Sequence, residues 1–93
     1  MTAIDVRMIE DKDPLVFEVK VCDAGSETQH RVTLSRKDCE RLSGGASAEK
    51  LVDAALRFLL DREPKESILA RFDVSVIARY FPDFEQKLPK YLK

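Results

Sequence analysis

The chain has 93 residues, of which 44% are hydrophobic and 35% charged, and its formal net charge is −1. This length predicts a single domain over residues 1–93, and the near-neutral charge argues against binding nucleic acid mainly through its phosphates. No apolar run reaches the roughly 18–20 residues of a membrane span, and residues 1–13 lack a signal-peptide core, so we expect a cytoplasmic protein with free cysteines.

The first third of the chain alternates in the period-two manner of β-strands. Three sets of residues would share the inner face: Ile4, Val6 and Met8; Leu15, Phe17, Val19 and Val21; and His30, Val32 and Leu34. They predict an antiparallel sheet of two or three strands within residues 3–35. A bare hairpin is marginal in water, which favours the third strand. Turn-forming residues 23–27 predict a hairpin loop of about five residues.

From Ser35 onward the apolar spacing becomes three and four residues, which predicts helices within residues 36–88. Ser35 and Ser47 are the expected N-caps, and Gly44-Gly45 would end the short first helix. The helix after Ser47 would be the long central one. Its apolar residues cover roughly 240° of the circumference, where a surface helix needs about 100°. It must therefore be wrapped by the rest of the fold or buried against a second chain. We expect a homodimer with Leu56 and Leu60 near the contact.

Past Pro64 the helical pattern is broken. Pro64 is expected to open a helix with Ile68, Leu69 and Phe72, and Asp73 to cap another over residues 74–80. Ile77 and Tyr80 would point inward, Phe84 and Leu88 would add a turn, and residues 89–93 would fray. The aromatic residues of this half are predicted to form a lid over the central helix and the sheet: Phe72, Tyr80, Phe81, Phe84 and Tyr91. The predicted class is α+β, an N-terminal sheet followed by a helical half built round one long helix.

Three runs carry a resemblance over about residues 15–84: residues 30–34, residues 51–69 and Tyr80-Phe81-Pro82. On these runs the chain resembles a group of short bacterial proteins of unassigned function. The resemblance implies a shared fold and no activity.

Two shorter resemblances concern DNA. Residues 31–35, a short helix, a break and a long helix are similar in order to the ribbon-helix-helix repressors. That resemblance implies that Arg31 and Thr33 contact the major groove. The first helix is shorter than that family usually has, and the strand is expected to lie in a hairpin. Residues 69–75 and 77–80 also resemble a helix-turn-helix, with Asp73 at the turn in place of glycine.

The residues with chemical potential are few. His30, Cys22 and Cys39 are the candidates for a small enzyme or a metal site, but their spacing matches no structural zinc pattern and a fourth ligand is missing. We therefore expect no cofactor, no metal and no catalytic residue. The leading hypothesis is a non-enzymatic protein-interaction or adaptor module with an unidentified protein partner. A ribbon-helix-helix DNA-binding regulator and an enzyme using His30 with Cys22 or Cys39 are the alternatives.

Overall fold

The computed structural model describes residues 2–92, which form a four-stranded sheet and four α-helices. The strands are β1 (Ala3–Glu10), β2 (Leu15–Asp23), β3 (Ser26–Leu34) and β4 (Arg71–Asp73). The helices are α1 (Arg36–Ser43), α2 (Ala48–Leu60), α3 (Val74–Tyr80) and α4 (Phe84–Tyr91), and a 3₁₀ turn at Lys65–Ser67 precedes β4. The α+β class is confirmed, whereas the sheet is larger than predicted.

The sheet is mixed, with the strand order β1-β2-β3-β4. β1 and β3 pair antiparallel with β2, and β4 pairs parallel with β3. The third strand is therefore present and a fourth was not predicted. The hairpin loop is also shorter than five residues, because Asp23 pairs with Ser26. Its two residues, Ala24 and Gly25, have φ of 54° and 78°, as a tight type I′ turn requires.

One face of the sheet packs against the helices and the other faces solvent. β2 and β3 supply the buried side of the core: Leu15, Phe17, Val19, Val21, Val32 and Leu34. On edge strand β1 the inward residues Ile4, Val6 and Met8 are only half-buried. The edge is therefore less well covered than the centre of the sheet.

Helix α2 is buried by its own chain. Ser47 caps it by accepting a hydrogen bond from the Lys50 N–H, as Ser35 caps α1 through the Asp38 N–H. The helix is 13 residues long and ends at Leu60, short of Pro64. It packs on β1, α1 and α4. Leu56 is 0% exposed in the single chain, so its burial does not require a second copy. Leu60 is half-buried.

The C-terminal quarter differs most from the sequence-based expectation. Pro64 opens no α-helix, because a 3₁₀ turn and β4 follow it. Asp73 does cap α3, by accepting from the Ser75 N–H. Residues 89–91 were expected to fray but belong to α4, which contains Pro89. Leu88 is buried and the Tyr91 hydroxyl donates to Asp61, and these two contacts fix the end of α4.

Candidate functional site: an apolar groove beside β4

A groove of about 390 Å³ opens between the end of α2, the segment around β4, and α3. Its lining is largely apolar: Leu59, Ile68, Leu69, Phe72, Val76, Ile77, Tyr80 and Phe81. Glu63 and Ser67 are the polar side chains of the lining. The volume lies in the range of sites that bind small molecules or partner side chains, about 300–1,000 Å³.

The floor of the groove is part of the core, whereas its rim is exposed. Leu59, Ile68 and Ile77 are buried and anchor the floor. Leu69 and Tyr80 stand at the rim with 52% and 70% of their surface exposed. Within residues 2–92 they are two of three large apolar side chains that are exposed, so the apolar surface is concentrated at this groove.

Hydrogen bonds to β3 hold in place the segment around β4 that forms one side of the groove. The Arg31 N–H donates to the Ala70 carbonyl at 2.7 Å, and the ring of His30 bonds the Leu69 carbonyl at 2.8 Å. The Thr33 hydroxyl donates to Asp73, which also caps α3. The backbone of this segment is tied to the sheet, and the Leu69 side chain lines the groove with about half of its surface exposed. The rim is thus set by the fold.

Sequence reasoning missed both rim residues. Leu69 was expected inside a helix and Tyr80 on the inner face of α3, three residues after Ile77. Leu69 instead follows a 3₁₀ turn, and α3 ends at Tyr80. The aromatic lid is confirmed only in part: Phe81, Phe84 and Tyr91 pack edge-on against Phe58. Phe72 is half-buried in β4, and no feature of the sequence marks Tyr80 as exposed.

Glu63 gives the groove its charge. It is half-buried, lines the groove, and forms no ion pair with any residue of the described range. Lys65, two residues on, is buried and paired instead with Glu66 at 2.8 Å. The groove therefore combines an apolar surface with one unneutralised carboxylate.

His30 is a structural residue in this fold. It is 4% exposed, and both ring nitrogens are engaged: Nδ1 with the Leu69 carbonyl and Nε2 with the Thr28 hydroxyl, each at 2.8 Å. A carbonyl can only accept, so Nδ1 is the donor in the bond to Leu69, and Nε2 shares the second hydrogen bond with the Thr28 hydroxyl. The histidine has no nitrogen left for a metal or a substrate proton.

The two cysteines lie apart from His30. Both are free thiols, as predicted. Cys22 is on β2, next to Glu27, on the face opposite the core residue Val21. Cys39 lies in α1, where burial raises the pKa of its thiol above the usual value and makes it a poorer nucleophile. The structure thus does not bring His30, Cys22 and Cys39 together.

The solvent face of the sheet contains Arg31 and Thr33, the DNA contacts of the ribbon-helix-helix alternative. Thr33 is hydrogen-bonded to Asp73, and Arg31 pairs with Glu18 at 3.3 Å. Arg7 pairs with the same carboxylate at 3.0 Å, and these two guanidinium groups, Arg7 first, lower the pKa of Glu18. Arg7 and Arg31 are thus partly neutralised by the Glu18 carboxylate on the same face of the sheet.

The strand pairing of that family is also unavailable here. Ribbon-helix-helix dimers pair one strand from each chain, but β3 has β2 on one side and β4 on the other. The helix-turn-helix resemblance fails for a related reason: its first helix would cover Arg71–Asp73, which is β4.

No group of three or more His, Cys, Asp or Glu side chains that could hold a metal ion occurs among residues 2–92. Within the same range no helix is both long enough and apolar enough to cross a membrane. Comparisons with family models, curated proteins and solved structures find no match to this chain.

Proposed function

We propose that the protein is a non-enzymatic interaction module of the cytoplasm whose groove beside β4 binds a short apolar segment of another protein. The observation that carries this proposal is the exposure of Leu69 and Tyr80 together in the lining of one apolar groove. Large apolar side chains that stay exposed together at a concave site are typical of binding surfaces.

The charge of the groove defines the chemistry of the segment. Glu63 is the charged side chain of the lining and lacks an ion-pair partner within residues 2–92. A partner that places a lysine or arginine near Glu63 would neutralise it in a partly desolvated setting, where a charged hydrogen bond is strongest. We therefore expect an amphipathic segment with two or three apolar anchors and a nearby basic residue.

The two alternatives receive less support. The enzyme alternative needs His30 near a thiol, and its ring nitrogens are both engaged elsewhere. The DNA-binding alternative needs Arg31 and Thr33 free on a strand that pairs across a dimer, and both side chains and both sides of β3 are occupied.

Panning of a displayed library of random peptides, about 12 residues long, against the folded protein tests the proposal. We expect selected peptides to combine apolar residues with lysine or arginine, and to bind the wild type with a dissociation constant of micromolar order. Leu69→Ser and Tyr80→Ser should each weaken binding about tenfold, since each removes one exposed anchor surface. Glu63→Gln should weaken peptides that carry a basic residue and spare those that do not.

Ile9→Ser is the matched control, because Ile9 is the third exposed large apolar residue of the described range and lies outside the groove. It should leave peptide binding unchanged. The proposal is wrong if no peptide is selected, or if selected peptides bind the Leu69 and Tyr80 variants as tightly as the wild type.

A further inference from the structure

Strand β1 is one edge of the sheet and pairs only with β2 among the described residues. Its eight residues Ala3–Glu10 leave one side of the backbone without a neighbouring strand. An edge of this length is a template for pairing with another strand unless the sequence opposes it. Proteins usually oppose it with charges of one sign, proline or a bulge.

The charges on β1 do not oppose self-association. Asp5 and Arg7 are both exposed and lie two residues apart on the solvent face. Arg7 pairs with Glu18 of β2 at 3.0 Å but keeps 74% of its side chain exposed, so it can also meet a carboxylate from a second strand. They have opposite signs, so a second β1 running antiparallel can place each opposite its complement. A row of lysines would repel a second copy of β1 in every register. Asp5 and Arg7 repel their equivalents in some registers and attract each other across the pair in one.

We infer that β1 pairs with β1 of a second copy of this chain, antiparallel and centred on Val6, to make a continuous eight-stranded sheet. This inference does not depend on the groove beside β4. It assigns the predicted homodimer to the sheet edge, in place of Leu56 and Leu60 on α2.

Symmetry and charge together select the register. A two-fold axis perpendicular to the sheet keeps the core faces of both copies on one side, so facing residues must both be odd-numbered or both even-numbered. Centring on Asp5 would set two carboxylates face to face, and centring on Arg7 two guanidinium groups. Centring on Val6 sets Asp5 of each copy opposite Arg7 of the other, giving two opposite-charge pairs.

The apolar residues of β1 fit the same register. Ile4, Val6 and Met8 are half-buried on the core face of the edge. In the Val6-centred register Ile4 faces Met8 of the second copy and Val6 faces its equivalent. The exposed fraction of all three side chains would therefore fall in the dimer. The bulge in β1 lies between Met8 and Glu10, at the end of this stretch, and α2 packs beneath the strand.

A single strand pair buries a small area, so we expect a weak dimer with a dissociation constant of roughly 100 µM. Sedimentation velocity of the whole chain from about 10 µM to 1 mM measures it. Asp5→Arg and Arg7→Asp should each weaken dimerisation about tenfold or more, because two attractions become two repulsions. Arg71→Glu, a charge reversal at an exposed position of β4 on the opposite edge of the sheet, should leave the dissociation constant unchanged.

Mixing the Asp5→Arg and Arg7→Asp variants gives the decisive test of the charge pairing. The Asp5→Arg chain has two cations at the edge and the Arg7→Asp chain two anions, so each should self-associate more weakly than the wild type, whereas the two should pair with each other. A heterodimer of wild-type strength supports the inference. Failure of the mixed pair to associate, while circular dichroism shows both variants folded, overturns it, and so does a wild type that stays monomeric at about 1 mM.

The register itself is tested by cross-linking in a Cys22→Ser/Cys39→Ser background. Val6→Cys should form an intermolecular disulfide under mild oxidation, since facing Cα atoms in an antiparallel pair lie about 4.5–5.5 Å apart. Ile4→Cys is the matched control on the same face; its equivalent would be four residues out of register, beyond disulfide reach. Cross-linking of Ile4→Cys as fast as Val6→Cys would refute the assigned register.

Discussion

Replacing Phe58 with leucine tests whether the aromatic cluster under the groove holds the C-terminal helices to α2. Phe58 is 0% exposed, and its ring centroid lies 5.0 Å from Phe84 and 5.8 Å from both Phe81 and Tyr91, each at a steep angle. The guanidinium carbon of Arg62 lies 3.6 Å from the centroid of the same ring. One side chain thus joins α2 to the segment from α3 to the end of α4.

The magnitude follows from these contacts. An edge-to-face aromatic pair contributes about 0.5–1.5 kcal/mol beyond its buried area, and a partly exposed cation–π contact about 0.5–1 kcal/mol. Leucine fills much of the same space, so Phe58→Leu should lower the free energy of unfolding by about 2–3 kcal/mol. A chain of this length has a stability of roughly 5–14 kcal/mol, so the variant still folds and can be measured.

Phe17→Leu is the matched control. Phe17 is also 0% exposed, but within residues 2–92 it makes no aromatic pair. Its replacement should cost less than about 1.5 kcal/mol, as apolar swaps of similar volume do. The chain has no tryptophan, so urea unfolding is best followed by far-ultraviolet circular dichroism. Equal losses for the Phe58 and Phe17 variants would refute the role given to the cluster.

Two further predictions concern ties between distant parts of the chain. His30→Ala should lower the free energy of unfolding by about 2–3 kcal/mol, because it leaves a cavity and removes both ring hydrogen bonds. Amide hydrogen exchange should become faster at β4 more than at β1. An equal increase at both strands would contradict the view that His30 holds β4 locally. The pKa of Glu85 lies below its usual value because of the bidentate bond from Arg41. A lowered folded-state pKa gives stability that is present above the unfolded pKa and lost as the pH falls through the folded one. Glu85→Gln should therefore be less stable than the wild type at pH 7. The difference should shrink as the pH falls below the ordinary pKa of a glutamate carboxyl, about 4.3, and on through the lowered folded-state pKa. A difference that stays constant with pH would contradict this.

The elements that sequence reasoning predicted well are those set by local patterns. Alternation places β1, β2 and β3, and the side-chain caps at Ser35, Ser47 and Asp73 start three helices where they were expected. In each case the deciding contact lies within three residues of the one that predicts it. Local patterns also indicated how much of α2 would be buried, although not by what.

The elements that were missed depend on contacts far along the chain. β4 has three residues and no alternation of its own; it is a strand because Arg31 and His30 bond the backbone at Ala70 and Leu69, about 40 residues away. The end of α4 persists because the Tyr91 hydroxyl donates to Asp61, which follows α2 and lies 30 residues earlier in the chain. The candidate groove was missed for the same reason, because one of its sides is the segment around β4, which is positioned by the pairing of β4 with β3.

The two proposed surfaces lie at opposite ends of the sheet. The strand order puts β1 at one edge and β4, with the groove, at the other. A dimer through β1 would therefore cover neither groove and would present two of them, outermost and related by the two-fold axis. A partner with two suitable segments could occupy both at once, and the second binding step would then be intramolecular. Weak binding at each groove and weak pairing at β1 would reinforce one another. A partner with two segments can use both only on a dimer, so its extra binding free energy shifts the monomer–dimer equilibrium toward the dimer. Marginal contacts at both surfaces are thus compatible with a stable assembly, and neither surface needs the large buried area of an obligate interface.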